Sequence, residues 1–367
     1  MGIEVDASFP GGNIVIEEIA GDSVRLHQDI RTTKQWWFYW AFRTRGAAGR
    51  TVRFCFTDGD AFTAQGPCFS PDGLDWQWLG RASVKDNAFD YRFPDDQDGA
   101  YFSFCIPYTE KHLASFLAAH RLPHAPKPAP RCSLTRLADS EKGRAIERLT
   151  LESQRGAYKV LLTARCHACE TMGNYVLEGL VEAWLDDPFL REHVDFQIVP
   201  FVDKDGVEEG DQGKCRAPHD HWEDYTAQPL YAATRALIAQ VGTWRGEFVL
   251  ALDLHCPWIR GGRNEEIFIV EPPARWLPEV DRFARLLEDS ITGELPFSRR
   301  NDIGYGVEWN VASPNLPSFV REHYPVRFAA ALEIPYAVAG GKVVTAAAAR
   351  AFGRDLGRAA ARYIAGK

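Results

Sequence analysis

The sequence predicts an α/β fold, a mixed central sheet with helices on both faces, preceded by an antiparallel β-sandwich. Three observations predict it. Up to residue 122 the chain is a series of short aromatic and β-branched runs punctuated by Gly, Pro and Asp. Residues 120–131, HRLPHAPKPAPR, are Pro-rich and have no apolar period, as in a stiff linker. Beyond 131, near-continuous apolar runs alternate with helix-like stretches, the pattern of a sheet covered on both faces. Two domains, 1–122 and 131–367, are therefore expected, more than one core being usual at 367 residues.

In the first domain RTTKQWWFYWAFRTRG (31–46) and RTVRFCFTDGD (50–60) read as strands. FSPDGLDWQWLG (69–80) reads as a turn at Pro71-Asp72-Gly73 followed by alternation through Trp76 and Trp78. AYFSFCIPY (100–108) is a further strand. Trp36, Trp37, Phe38, Tyr39 and Trp40 would occupy both faces of one strand, and core packing is favoured there over a ligand-stacking platform. In the second domain strands are expected over 145–153, 158–164, 195–202, 247–255, 266–271 and 328–337, and helices over 171–186, 228–241, 278–290 and 344–364.

A hydrophobic content of 46% and a charged content of 25% place the chain among soluble globular proteins. Its net charge is −8 and it has no Lys/Arg block, which argues against nucleic acid and anionic membrane surfaces as partners. The N-terminal residues lack an apolar signal core, and no apolar run is long enough to span a bilayer. Eight scattered cysteines without an export signal fit reduced thiols in a cytoplasmic protein. Oligomeric state is not legible.

The chemistry concentrates at strand ends. RCHACET (165–171) lies between the apolar run YKVLLTA and the helical run MGNYVLEGLVEAWL. Such a strand-to-helix junction is where α/β proteins place functional groups. A redox Cys-x-x-Cys, a metal-binding His-x-x-Glu and a polar turn compete there. His255 ends VLALDLH, and Glu333 interrupts the apolar strand AALEIPYA, where a lone carboxylate is costly to bury without compensation. Two His and one Glu with an open fourth position form a hydrolytic zinc site. His167, Glu170 and His255 are the expected ligands of one zinc ion, and Glu333 the free carboxylate that deprotonates water. Cys169 in place of Glu170 is the alternative ligand set. The redox reading of Cys166 and Cys169 is weaker, because the motif does not follow the first strand of a small thioredoxin-like domain.

With these residues in place, the chain resembles the zinc metallocarboxypeptidases, specifically the cytosolic carboxypeptidase branch, which pairs an N-terminal β-sandwich with an α/β/α catalytic domain. The resemblance rests on WWFYWAFRTRG, SPDGLDW and FCIPYTEKHL in the first part. In the second it rests on RCHACET, VPFVDKDGVEEG, LDLH and ALEIPYA. It implies zinc ligation by His167, Glu170 and His255, with Glu333 as general base and Arg216 polarising the scissile carbonyl. It also implies that Asp220 supports His167. Within PHDHWEDY (218–225) the pattern breaks: Trp222 and Glu223 stand where the family has the Asn-Arg pair that grips a terminal carboxylate. Either Glu223 faces solvent or the substrate offers no free carboxylate there, a Glu repelling what an Arg fork binds. Tyr305, in GYGVEW, is a candidate proton donor on the substrate side, with packing of its loop as the alternative reading. The expected substrate is a peptide or a small-molecule amide, taken by ordinary carboxypeptidase action or by an amidase or deacylase of altered specificity. A non-catalytic binding protein retaining the fold and a thiol redox protein are the competing readings.

Overall fold

A computed structural model describes residues 2–122 and 131–366. The chain up to 122 forms two five-stranded sheets. One has the order Glu4–Asp6, Ala41–Arg45, Ala100–Ser103, Cys68–Ser70, Gln77–Trp78 and is antiparallel throughout. The other runs Val15–Ala20, Ser23–His27, Thr51–Phe56, Ala88–Arg92, Val84–Lys85, antiparallel except for the parallel pairing of Ser23–His27 with Thr51–Phe56. Phe42, Phe54, Phe89 and Phe102 fill the space between the sheets, with ring centroids 5.0–5.4 Å apart. The aromatic run expected as a strand over 31–46 is regular only at Ala41–Arg45. Phe38, Tyr39 and Trp40 are buried ahead of it, while Trp36 and Trp37 lie in irregular backbone and are half-buried. Helix α1 (Glu110–Ala119) follows. Most of the Pro-rich stretch read as a linker lies outside the described residues.

The second part is built on a seven-stranded mixed sheet. Its strands are β1 (Arg131–Asp139), β2 (Ala145–Glu152), β3 (Tyr158–Ala164), β4 (Val194–Val199), β5 (Glu247–His255), β6 (Phe268–Val270) and β7 (Phe328–Glu333). Their order is β1-β2-β4-β3-β5-β7-β6, with β4, β3, β5 and β7 parallel and the outer pairings antiparallel. The central strands are apolar on both faces because both are covered. Val160, Leu162, Leu250, Leu252, Ala330 and Leu332 join a core with α2 (Met172–Asp186), α4 (Leu277–Glu288) and α6 (Ala346–Ile364). The intervening Leu161, Ala251 and Ala329 join a second core with α3 (Ala232–Val241) and α5 (Leu316–His323). The core on the first face is continuous with the N-terminal sheets: Phe104 lies 5.1 Å from Tyr336, and Tyr108 5.0 Å from Tyr175. Among the described residues no helix is long and apolar enough to cross a membrane.

Candidate metal centre

The site forms where β3, β5 and β7 end side by side. His255 and Glu333 are paired residues on adjacent parallel strands. His167 and Glu170 lie in the turn between β3 and α2. Arg165 shapes that turn from a left-handed backbone position, φ 63°. Its buried guanidinium donates to the carbonyls of Ala168 (2.8 Å) and Tyr108 (2.7 Å) and to Asn174 Oδ1 (3.1 Å). The loop carrying Asp211–Lys214 packs directly onto the turn. Gly213 is required there, since its φ is 79° and a Cβ would lie 2.1 Å from the backbone nitrogen of Ala168.

Three donors converge. His167 Nδ1 lies 2.9 Å from one oxygen of Glu170, and His255 Nδ1 lies 2.8 Å from the other. The two Nδ1 atoms are 3.1 Å apart. The far nitrogens face carboxylates: His167 Nε2 is 3.5 Å from Asp220 and His255 Nε2 is 3.1 Å from Asp253. Carboxylates there favour protons on both Nε2 atoms and turn both Nδ1 lone pairs inward. Two imidazole lone pairs and a carboxylate, all buried, form a donor set suited to a divalent cation.

Cys166, Asp253 and His255 form a neighbouring buried cluster. Burial, with Asp253 adding to it, holds the Cys166 thiol well above its ordinary range, and Asp253 is occupied by the hydroxyl of Thr163 at 2.7 Å. Asp253 also faces His255 Nε2, so this cluster lies behind His255, on the side away from Glu170. Cys169 does not enter the first cluster. Its sulfur lies 3.5 Å from the hydroxyl of Tyr336, so the alternative ligand set with Cys169 is not assembled. Cys166 and Cys169 face different partners, and both are free thiols.

Glu333 is 5% exposed, and its Oε2 has no hydrogen-bond partner among the described residues. Burial pushes its carboxyl up to about 7, against the opposing pull of His255. Glu333, His167 and Asp220 line a cleft of about 540 Å³, together with Trp222 and Glu223. Trp222 stands edge-on to His255 at 4.7 Å, and Glu223 is exposed.

Two expected site residues are not brought to this cleft. The Arg216 guanidinium is paired with Asp203 and with Asp211 (3.0 Å) and does not line the cleft. Tyr305 is 44% exposed and is not part of the cleft wall. The basic group on the wall is Lys214, 3.4 Å from Glu170. Burial works against its charge, but Glu170, Glu333 and Asp220 more than offset this and hold the ammonium above its ordinary range. Lys214 is two residues from Arg216, and only the three-dimensional path of the loop separates their roles. Gln212 was equally hidden in the sequence. Its carboxamide bonds both backbone groups of Tyr39 (2.8 Å each), while its own carbonyl accepts from Cys169 N (3.1 Å). It ties the aromatic segment of the N-terminal part to the turn that carries His167 and Glu170.

No family model matches the chain. Over its whole length it superposes on a metallo-carboxypeptidase from Burkholderia cenocepacia, with a TM-score of 0.80, 19% identity and 100% of both chains covered. This is the metallocarboxypeptidase fold. A metallo-carboxypeptidase from Pseudomonas aeruginosa, in complex with (2-guanidinoethylmercapto)succinic acid, gives a TM-score of 0.77 at 20% identity over 99% of each chain. Among curated proteins, cytosolic carboxypeptidase 3 of Bos taurus is 26% identical over 294 residues, 68% of this chain and 29% of that protein. An uncharacterized protein of Zymomonas mobilis is 28% identical over 220 residues, 56% of this chain and 55% of that one. The chain thus spans about half or less of the length of these curated relatives. The likeness is to the cytosolic branch of the metallocarboxypeptidases, as the sequence motifs imply.

Proposed function

We propose that the protein is a zinc-dependent hydrolase of peptide or amide bonds, with one ion per chain, whose site no longer grips a free C-terminal carboxylate. The observation that carries this reading is the convergence of His167 Nδ1, His255 Nδ1 and Glu170 beside the buried, unpartnered oxygen of Glu333. When bound, a divalent ion supplies Lewis acidity, polarising a carbonyl and making water easier to deprotonate. Glu333 takes the proton from the attacking water and returns it to the leaving nitrogen, a role for which its unpartnered oxygen on the cleft wall leaves it free. Lys214 brings a fixed positive charge to the wall of the same cleft and stabilises the developing oxyanion, the role expected of Arg216. Asp220 and Asp253 hold the two imidazoles in the ligating tautomer. Trp222 and Glu223 leave no fork for a carboxylate. Eight free cysteines fit a reducing, cytoplasmic setting.

The test combines elemental analysis with turnover of a panel of peptides and amides, in wild type, Glu333→Gln and Lys214→Met. Zinc is expected at about one per chain in all three, as this donor set implies. Turnover should fall ~10²–10⁴-fold in Glu333→Gln and ~10²-fold in Lys214→Met. A wild-type rate in Glu333→Gln would remove the base from the mechanism. Zinc binding with no Glu333-dependent turnover on any substrate would indicate a binding protein.

A further inference from the structure

The cleft has two chemically different halves. The inner half holds the His167, Glu170 and His255 cluster, Glu333 and Lys214, whose ammonium lies 3.4 Å from Glu170. Trp222 packs on His255 at the boundary, and beyond it the wall of the outer half carries Trp37, Trp258 and Trp309 and the carboxylates of Glu223 and Glu308. Among the described residues no arginine lines the cleft, and those nearby are otherwise engaged. Arg260 pairs with Asp60 at 2.8 Å. Arg263 donates to the carbonyls of Asn301 and Asp302 at 2.7 and 2.8 Å and reaches Glu308 only at 3.8 Å. Glu223 has no ion-pair partner among the described residues.

The aromatic wall is braced. Trp258 meets the edges of Trp37 and Phe38 at 4.8 and 5.0 Å and is tilted against Trp36 at 6.0 Å, yet 40% of its surface remains open. Trp309 is 50% exposed. Glu308 is held in a left-handed backbone conformation, φ 51°, which a non-glycine residue adopts at a cost. Asn310 fixes that turn through bonds to the carbonyls of Glu271 and Ile303, both at 3.0 Å. Open tryptophan faces beside the unpaired Glu223 and beside Glu308, which Arg263 reaches only at 3.8 Å, attract a cation through the ring quadrupole and through charge, and they reject an anion. The buried Glu333 oxygen, unpartnered on the wall of the same cleft, places the reacting bond at its inner end.

We propose that the substrate carries an alkylammonium group, seated in the outer half of the cleft against Trp258 and Trp309 between Glu223 and Glu308. This rests on the hydrolase reading for the position of the scissile bond, but recognition of the cation is separable from turnover. The probe is butyltrimethylammonium, which cannot coordinate a metal, compared with hexanol, in calorimetric titrations of the zinc-loaded full-length protein. The cation is expected to bind at least ~10-fold tighter than the alcohol. In Glu223→Gln/Glu308→Gln that advantage should shrink toward one, with the fold checked by circular dichroism, both positions being at the surface. Equal binding of cation and alcohol by wild type would overturn the proposal, as would an advantage untouched by the double change. A protein that lacks zinc or Glu333-dependent turnover but still selects the cation would fail the hydrolase reading alone.

Discussion

His112 is the third residue of α1, and its ring Nδ1 accepts the backbone N–H of Thr109 at 3.1 Å, closing a reciprocal cap. Burial, reinforced by Lys111 and Arg165, lowers its pKa to about 4 from the usual 6.5. A folded-state pKa below the unfolded one means that, under about pH 6.5, the unfolded chain takes a proton that the folded ring refuses. Stability is then lost as pH falls from 6.5 toward 4. Between pH 7 and 5 the expected loss from this group is about 1–2 kcal/mol. His112→Gln retains a capping-box residue and removes the titration. Its urea-unfolding free energy should therefore fall less than that of wild type over the same interval, and parallel curves would show that His112 does not carry the slope. The same scale shows where sequence reading stops. His167, Glu170, His255 and Glu333 were legible because each is a polar interruption at or beside an apolar strand. Lys214 and Arg216 were not separable, because both are basic residues of one loop and only their partners distinguish them.

Helix α2 starts two residues after Glu170, so its seat on α6 positions the metal-binding turn. The two helices meet backbone to backbone. A Cβ on Gly179 would lie 2.0 Å from the carbonyl oxygen of Arg350, and one on Gly353 would lie 2.2 Å from that of Val176. In an isolated helix Gly→Ala stabilises by ~0.5–1 kcal/mol. Here the sign should reverse: Gly353→Ala is expected to cost about 1–3 kcal/mol or more, because main chain cannot move aside as a side chain can. A lower denaturation midpoint checks this, and an unchanged or higher one would mean that the helices separate freely. The long apolar or amphipathic elements were legible within a few residues. The expected and observed spans agree at 158–164 and 247–255 and nearly so at 171–186 and 344–364. The edge strand β1 was not, because its residues are partly exposed and mixed in polarity. Trp36 and Trp37 have strand-like chemistry, yet their backbone is irregular, and the segment is tied at Tyr39 to Gln212 instead of to a sheet. That pairing joins residues about 170 positions apart, and no local period encodes it.

At the scale of the whole molecule the cleft is a joint product of distant segments. Trp37 comes from the N-terminal part, Trp222 and Glu223 from the loop after β4, Trp258 from the segment after β5, and Glu308 and Trp309 from the loop before α5. Substrate choice is therefore a property of the assembled wall. Trp222→Asn with Glu223→Arg restores the residue types of a carboxylate fork and reverses one charge. Glu308 and the Trp258 face remain in place, however, and still disfavour an anion. The expected result is partial. Wild type should cleave a blocked or amidated peptide with higher kcat/KM than the same peptide as a free acid. The double variant should move that ratio toward the free acid by about tenfold, the order of one buried charge-assisted contact, without reaching a full preference. Adding Glu308→Gln should move it further, because the remaining repulsion is removed. If wild type already favours the free acid and neither change alters the ratio, the carboxylate grip lies elsewhere on the wall, and Trp222 and Glu223 shape the cleft without selecting its occupant.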